Sequence, residues 1–286
     1  MDWTGRRERY RALIEGDGCI HPGSVYDPIS ARIAEDLGFE VGMLGGSIAS
    51  MAVLGAPDLI VMTLTEFAGQ VYRICRAGEL PLMVDADHGY GNALNVMRTV
   101  EELEAAGVSG LTIEDTELPP PYGAEGPRLL TLDEGVGKMK AALAARGDPR
   151  LAIVGRTSAA TIADMDDAMR RIAAYEGAGV DAVFLTGIRT RVQVETIRAT
   201  VRIPVILGAA GPEIADLDYL ASNGVRICLQ GHQPFMAAVE AVYASLKALR
   251  EGTPPAELKG VASRELMRRV TRDEDYERWT KDFLGG

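Results

Sequence analysis

The sequence predicts a (β/α)₈ barrel of the TIM type. Three observations carry that prediction: eight short apolar runs each followed by helix-length sequence, glycines where a helix gives way to the next run, and polar residues gathered at the C-terminal ends of the runs. All-apolar strands suit a parallel sheet covered on both faces, and 286 residues is close to the ~250 typical of the barrel. A doubly wound open sheet is the alternative. In either architecture ligands bind beyond the C-terminal ends of the strands.

The opening segment MDWTGRRERYRALIEGDG is charged and helix-like rather than a signal peptide. Strand runs follow at residues 19–25, 41–44, 80–84, 111–113, 151–155, 182–185, 204–207 and 226–229. Helical patterns ending at Leu37-Gly38, Ala106-Gly107, Ala178-Gly179 and Asn223-Gly224 lead into the second, fourth, sixth and eighth runs. Glycine just past a helix is a C-cap signal. A last barrel helix is expected over 234–249, a linker at Gly252-Thr253-Pro254-Pro255, and two short charged helices within 257–284. Residues 1–286 thus read as one barrel domain with a C-terminal helical extension, over 252–286, whose expected role is assembly.

Composition excludes several classes. With 47% hydrophobic and 25% charged residues, the chain can bury a sizeable core and carries no disordered signature. A formal net charge of −11 argues against a nucleic-acid partner, whose phosphates need a basic surface. No apolar run approaches the ~20 residues that span a bilayer, so no membrane partner and a cytoplasmic location are expected. Cys19, Cys75 and Cys228 are odd in number and widely spaced, which suits a reducing compartment and buried free thiols.

The segment Val84-Asp85-Ala86-Asp87-His88-Gly89-Tyr90-Gly91-Asn92 concentrates the chemistry. Two carboxylates end an apolar run, and glycines then let the backbone turn and approach a ligand closely. Hard cations such as Mg²⁺ take oxygen ligands, commonly one or two carboxylates with water and substrate completing the shell. On a strand Asp85 and Asp87 would share one face, with His88 on the other. Ser47 closes the second run after Gly45-Gly46, Glu114 and Asp115 the fourth, Arg156 the fifth and His232 the eighth. In a barrel these residues share a mouth. The carboxylates would hold the cation, Arg156 would pair with a substrate carboxylate, and Ser47 with nearby amides would donate hydrogen bonds. The site reads as one for a small anionic keto or enol compound. Arg156 could also simply pair with a neighbouring acid, and His232 could be a helix-start packing residue. Ser47 has no G-x-S-x-G elbow, and Gly89-x-Gly91 lacks the rest of a dinucleotide fingerprint.

The runs DADHGYGN, LGGS, IEDT and GRTSA together resemble the isocitrate lyase and phosphoenolpyruvate mutase superfamily. From Ser24-Val25-Tyr26-Asp27-Pro28 through Glu134-Gly135-Val136-Gly137-Lys138, and again at Gly231-His232, the chain is most similar to the oxaloacetate decarboxylase branch. The resemblance implies a 2-oxo acid bound with Mg²⁺, or Mn²⁺ in its place. It implies Asp85 as direct metal ligand, Asp87 and Glu114 in the water-mediated shell, and Ser47, Arg156 and His232 touching substrate, with Arg156 and His232 in the catalytic roles. It also implies a homotetramer that exchanges its eighth helix between subunits. Lyases of this group carry a Lys-Cys-Gly-His segment after the fourth strand, but residues 118–126 here read LPPPYGAEG. Without that cysteine, cleavage of isocitrate or methylisocitrate is not expected. Ser158 is a second departure, standing where Asn or Asp is more usual. The expected reaction is decarboxylation of oxaloacetate to pyruvate and CO₂ through an enolate. The alternatives are a lyase or hydrolase for another 2-oxo or 2-hydroxy acid, and a non-catalytic dicarboxylate sensor.

Overall fold

The structure, a computed structural model, describes residues 1–285. Eight strands pair in parallel in chain order: β1 (Gly23–Ser24), β2 (Gly42–Leu44), β3 (Leu82–Asp85), β4 (Gly110–Glu114), β5 (Ala152–Thr157), β6 (Ala182–Leu185), β7 (Val205–Leu207) and β8 (Val225–Cys228). The expected first strand is split by Pro22, which has no amide hydrogen to give to a ladder. Gly23 and Ser24 pair with β2, whereas Ile20 bridges to Ile227 in β8. The Ile20 amide donates to the Arg226 carbonyl at 3.0 Å, and its carbonyl accepts from the Cys228 amide at 2.9 Å. These two bonds bring the eighth strand back to the first and close the barrel.

Strand alternation divides the apolar residues into two cores. Met43, Met83, Val154, Phe184, Ile206 and Ile227 point into the lumen, together with Tyr10 and Ile14. The larger core lies between the strands and the surrounding helices. Each expected C-cap glycine, Gly38, Gly107, Gly179 and Gly224, has a positive φ of between 82° and 104°, a conformation that costs glycine no Cβ clash.

The N-terminal helix Thr4–Glu15 closes one end of the lumen. Tyr10 and Ile14 are its buried wedge, and burying the Ile14 side chain is worth roughly 1.5–3 kcal/mol. Arg7 donates to the Val108 carbonyl at 3.0 Å and pairs with Asp148 at 2.8 Å, and Arg11 pairs with Asp181 at 2.8 Å. These partners precede β4, β5 and β6, so the helix seals the N-terminal ends of the strands. The C-terminal ends are left for a ligand.

Seven helices, Pro28–Asp36, Leu64–Cys75, Ala93–Ala106, Leu132–Ala145, Met165–Ala178, Arg191–Thr200 and the short Leu217–Ser222, cover the strands. The helix after β8 runs Gln233–Arg250 and buries none of its residues. Met236, Val239, Val242, Tyr243, Leu246 and Leu249 along it are exposed. Beyond it, the helix Arg264–Thr271 lies against Pro28–Asp36 of its own chain. There Val270 is buried, Arg32 donates to the Val270 carbonyl at 3.0 Å, and Arg272 pairs with Asp36 at 2.8 Å. No described helix is long and apolar enough to cross a membrane.

Candidate active site

A cavity of about 280 Å³ opens at the C-terminal ends of the strands, and Ser47, Asp85, Asp87, Glu114, Arg156 and His232 all line it. Six of the seven residues expected at a shared mouth are thus brought together, although not all in the expected way. Asp85 ends β3 and Glu114 ends β4, both on the lumen side. Asp87 is not on a strand. It lies in the following turn with φ 48°, a left-handed conformation that Asp tolerates better than most residues. Ser47 does not end β2 either. The strand stops at Leu44, and Ser47 sits in the first turn of the helix Gly46–Leu54.

Asp115 is the clear correction to a shared mouth, because it points away from the cavity. It is fully buried between strand and helix, where Arg171 donates to it at 3.0 Å and the Tyr175 hydroxyl at 2.5 Å. The physical reason is the two-residue side-chain period of a strand: with Thr112 and Glu114 inward, Asp115 must face out. His88 is likewise outside the lining. It is buried with Nδ1 unpartnered, and burial followed by the Lys138 charge lowers its pKa to about 4. Lys138 donates to its carbonyl at 2.7 Å.

Sequence reasoning missed several contributors. Thr112 in β4 donates to Asp85 Oδ1 at 2.8 Å, Thr116 donates to Glu114 Oε2, and Asp58 adds a fourth carboxylate at the cavity rim. Thr112 and Glu114 are two apart on one strand, so alternation was the available signal for the first. Asp58 gives none, because it comes from the connection between the helices Gly46–Leu54 and Leu64–Cys75. Phe184, Thr186, Gly208, Met43 and Leu229 form much of the remaining wall. Ser158 does not line it but meets the Thr186 hydroxyl at 2.9 Å.

The site is a strongly acidic cluster around one cation. Burial raises the Asp87 pKa well above the usual carboxylate range, and the charges of Asp85, Glu114 and Asp58 push it further. Burial also raises Glu114, with Arg156 opposing, and raises Asp58, with Asp85 adding to it. Arg156 pairs with Asp85 and reaches Glu114 at 3.6 Å. Its guanidinium lies over the Phe184 ring at 5.3 Å, and its Nε has no partner. Burial opposes its charge, but Asp85 and Glu114 outweigh burial and hold its pKa up. Burial lowers the His232 pKa, against the pull of Asp85 and Asp58. The Gly45-Gly46 pair allows close approach here, since a Cβ on Gly46 would overlap the Asp87 carboxylate.

Among the described residues no three His, Cys, Asp or Glu side chains form a ready-made metal cage. An all-oxygen, partly open carboxylate cluster instead suits a hard divalent ion that keeps water in its shell. The three cysteines are free and buried, and none lines the cavity.

A family model described as phosphoenolpyruvate phosphomutase matches residues 10–250. The chain belongs to this family. Among curated relatives, a protein named oxaloacetate decarboxylase from Rhodopseudomonas palustris (strain BisB18) is 58% identical over 285 residues, covering 100% of this chain and 99% of its own. One of the same name from Bradyrhizobium sp. (strain ORS 278) is 59% identical with the same coverage. Among solved structures, phosphoenolpyruvate phosphomutase from Streptomyces platensis subsp. rosaceus has a TM-score of 0.86 at 27% identity, covering 97% of this chain and 99% of its own. A phosphonopyruvate hydrolase in complex with oxalate and Mg²⁺ has a TM-score of 0.86 at 26% identity, covering 98% and 99%. The family likeness expected from DADHGYGN and its companion runs therefore holds over the whole barrel, and members of the family imply a divalent metal in the site.

Proposed function

We infer that the chain is an enzyme that decarboxylates oxaloacetate to pyruvate and CO₂. The observation that carries this reading is one cavity uniting a carboxylate cluster, a single arginine and an imidazole, without a thiol, in a chain so similar throughout its length to proteins named oxaloacetate decarboxylase. Asp85 would hold Mg²⁺ directly, with Asp87 and Glu114 reaching it through water; Mn²⁺ takes the same carboxylate and water ligands. When bound, the ion supplies Lewis-acid polarisation of the 2-keto group, worth several kcal/mol.

The chain's own residues then divide the work. Arg156 anchors the carboxylate beside the ketone with its planar fork, and Phe184 supports the guanidinium from one face. Ser47 contributes a hydroxyl at the start of its helix. As the distal carboxylate leaves as CO₂, its bonding electrons pass toward the keto oxygen, giving the enolate of pyruvate, which a proton at C3 then converts to product. His232 lies beyond β8 at the start of the helix Gln233–Arg250, where it would meet the substrate near that carbon. Interactions stronger with the enolate than with the ketone accelerate the step. The Asp87 amide and the Thr112 hydroxyl, which both donate to Asp85, keep its carboxylate fixed while charge develops.

The assembly would be a homotetramer in which the helix Gln233–Arg250 is exchanged. Its exposed apolar side chains recur at helical spacing from Met236 to Leu249, a stripe that needs a partner surface. An apolar groove beside β1, lined by Pro22, Ile33, Leu37 and Phe39, offers one. The decisive experiment supplies purified protein and Mg²⁺ with a panel of 2-oxo and 2-hydroxy acids. Pyruvate from oxaloacetate supports the reading, and dicarboxylate binding without turnover of any panel member would replace it with a sensor.

A further inference from the structure

We propose that Ser24 is a positioning residue for His232, its hydroxyl holding Nδ1 of the imidazole so that Nε2 carries a hydrogen toward the cavity. The inference rests on His232 meeting the substrate, as read above. Ser24 Oγ lies 2.8 Å from His232 Nδ1, across 208 residues of sequence. A Cβ on Gly23 would meet Ala34 and Phe39 of the outer shell, so alternation along β1 turns Ser24 inward. His232 lines the cavity and Ser24 does not; the serine stands behind the ring.

The other edge of the ring is kept clear. A Cβ on Gly45 would lie 2.6 Å from Nε2 and 2.8 Å from Cε1, so the end of β2 can pass this close only without a side chain. The backbone of His232 begins the helix Gln233–Arg250, yet its side chain makes no capping hydrogen bond, which leaves the imidazole to Ser24. Tyr26 packs edge-on against Phe235 at 5.2 Å and ties the helix start to the end of β1, fixing the distance between the two partners.

A hydroxyl is the group that serves both charge states of the ring, because it donates and accepts. To a neutral imidazole it donates at Nδ1, which leaves the ring hydrogen on Nε2. From a cationic imidazole it accepts the Nδ1 hydrogen, and Nε2 again carries its own. Which ring nitrogen is protonated is set by the hydrogen bond the other makes. Alanine at this place would release the ring to rotate and to exchange tautomers.

The test compares Ser24→Ala and Ser24→Thr with His232→Gln, alone and in the double variant Ser24→Ala/His232→Gln. Loss of one orienting hydrogen bond should lower kcat by about five- to tenfold, leave the oxalate inhibition constant unchanged, and be rescued in Ser24→Thr. In the His232→Gln background Ser24→Ala should cost nothing more. The chain has 3 histidines, so nitrogen NMR of histidine-labelled protein isolates His232 by its disappearance in His232→Gln. The ring should be a single Nε2–H tautomer when neutral in the parent protein and a mixture in Ser24→Ala. Normal turnover and an unchanged tautomer in Ser24→Ala, with His232→Gln impaired, would overturn the positioning role and leave the reading of His232 standing. Normal turnover in His232→Gln would overturn both. An equal loss from Ser24→Ala in either background would also overturn it, since the serine would then act independently of the histidine.

Discussion

Replacing Thr112 with valine should weaken metal binding with little change to the fold. The side chain is fully buried in β4 and gives Asp85 Oδ1 its shortest hydrogen bond, at 2.8 Å, the other being from the Asp87 amide at 3.2 Å. Valine keeps the shape and β-branching but removes the donor. A hydrogen bond to a charged acceptor is worth ~1.5–3 kcal/mol, which corresponds to about a 10- to 100-fold loss of affinity at ~1.4 kcal/mol per tenfold. Mutations of groups that orient metal ligands cost about the same 10–100-fold, so the two routes agree. Titration of the metal-free variant with Mn²⁺, followed by paramagnetic resonance, gives the affinity directly; thermal melting in chelator gives the stability of the fold. The melting temperature should move little, and added metal should restore turnover at higher concentration. Metal affinity within twofold of the parent protein would show that Asp85 does not need Thr112, or is not a ligand.

Exhaustive chelation should abolish turnover and Mg²⁺ should restore it, whereas Asp85→Asn should not recover at any practical concentration; full activity without metal would contradict the mechanism. Arg156→Lys should weaken both substrate and oxalate by about tenfold or more, because lysine lacks the planar fork, and unchanged oxalate inhibition would move the carboxylate anchor elsewhere. Raised Asp87 and Glu114 pKa values mean the folded state holds protons that the unfolded state has already released. Their contribution to stability is therefore present below the ordinary carboxylate range and lost as pH rises through the raised values. In metal-free protein Asp87→Asn should thus raise the melting temperature more in neutral than in mildly acidic buffer, and an equal gain in both would refute the assigned shift. The triple Cys→Ser variant should keep its turnover and isocitrate should remain uncleaved, as product assays would show. Light scattering should give several chains per particle, and truncation after Leu249 should disrupt them; a stable, active monomer of the full chain would remove the proposed role of the last helices.

Much of this architecture is local and so was legible in one dimension. Apolar runs separated by helix-length segments, with glycine wherever a helix must stop in a left-handed turn, are consequences of backbone sterics and side-chain period. The position of Asp85, Glu114 and Arg156 at strand ends followed from the same pattern, and their shared cavity followed from the parallel order. Tertiary structure decided what depends on strand register and on contacts between distant segments. A strand shows its two faces only once its neighbours are known, which is why Glu114 enters the cavity while Asp115, one residue on, is held by Arg171 and Tyr175 behind the sheet. Ring closure through Ile20, the approach of Asp58 over the rim, and the meeting of Ser24 with His232 all join residues whose separation along the chain carries no periodic signal. Short-range preference places each strand and helix, but the charge and hydrogen bonding around a site are set by whichever segments close packing brings together.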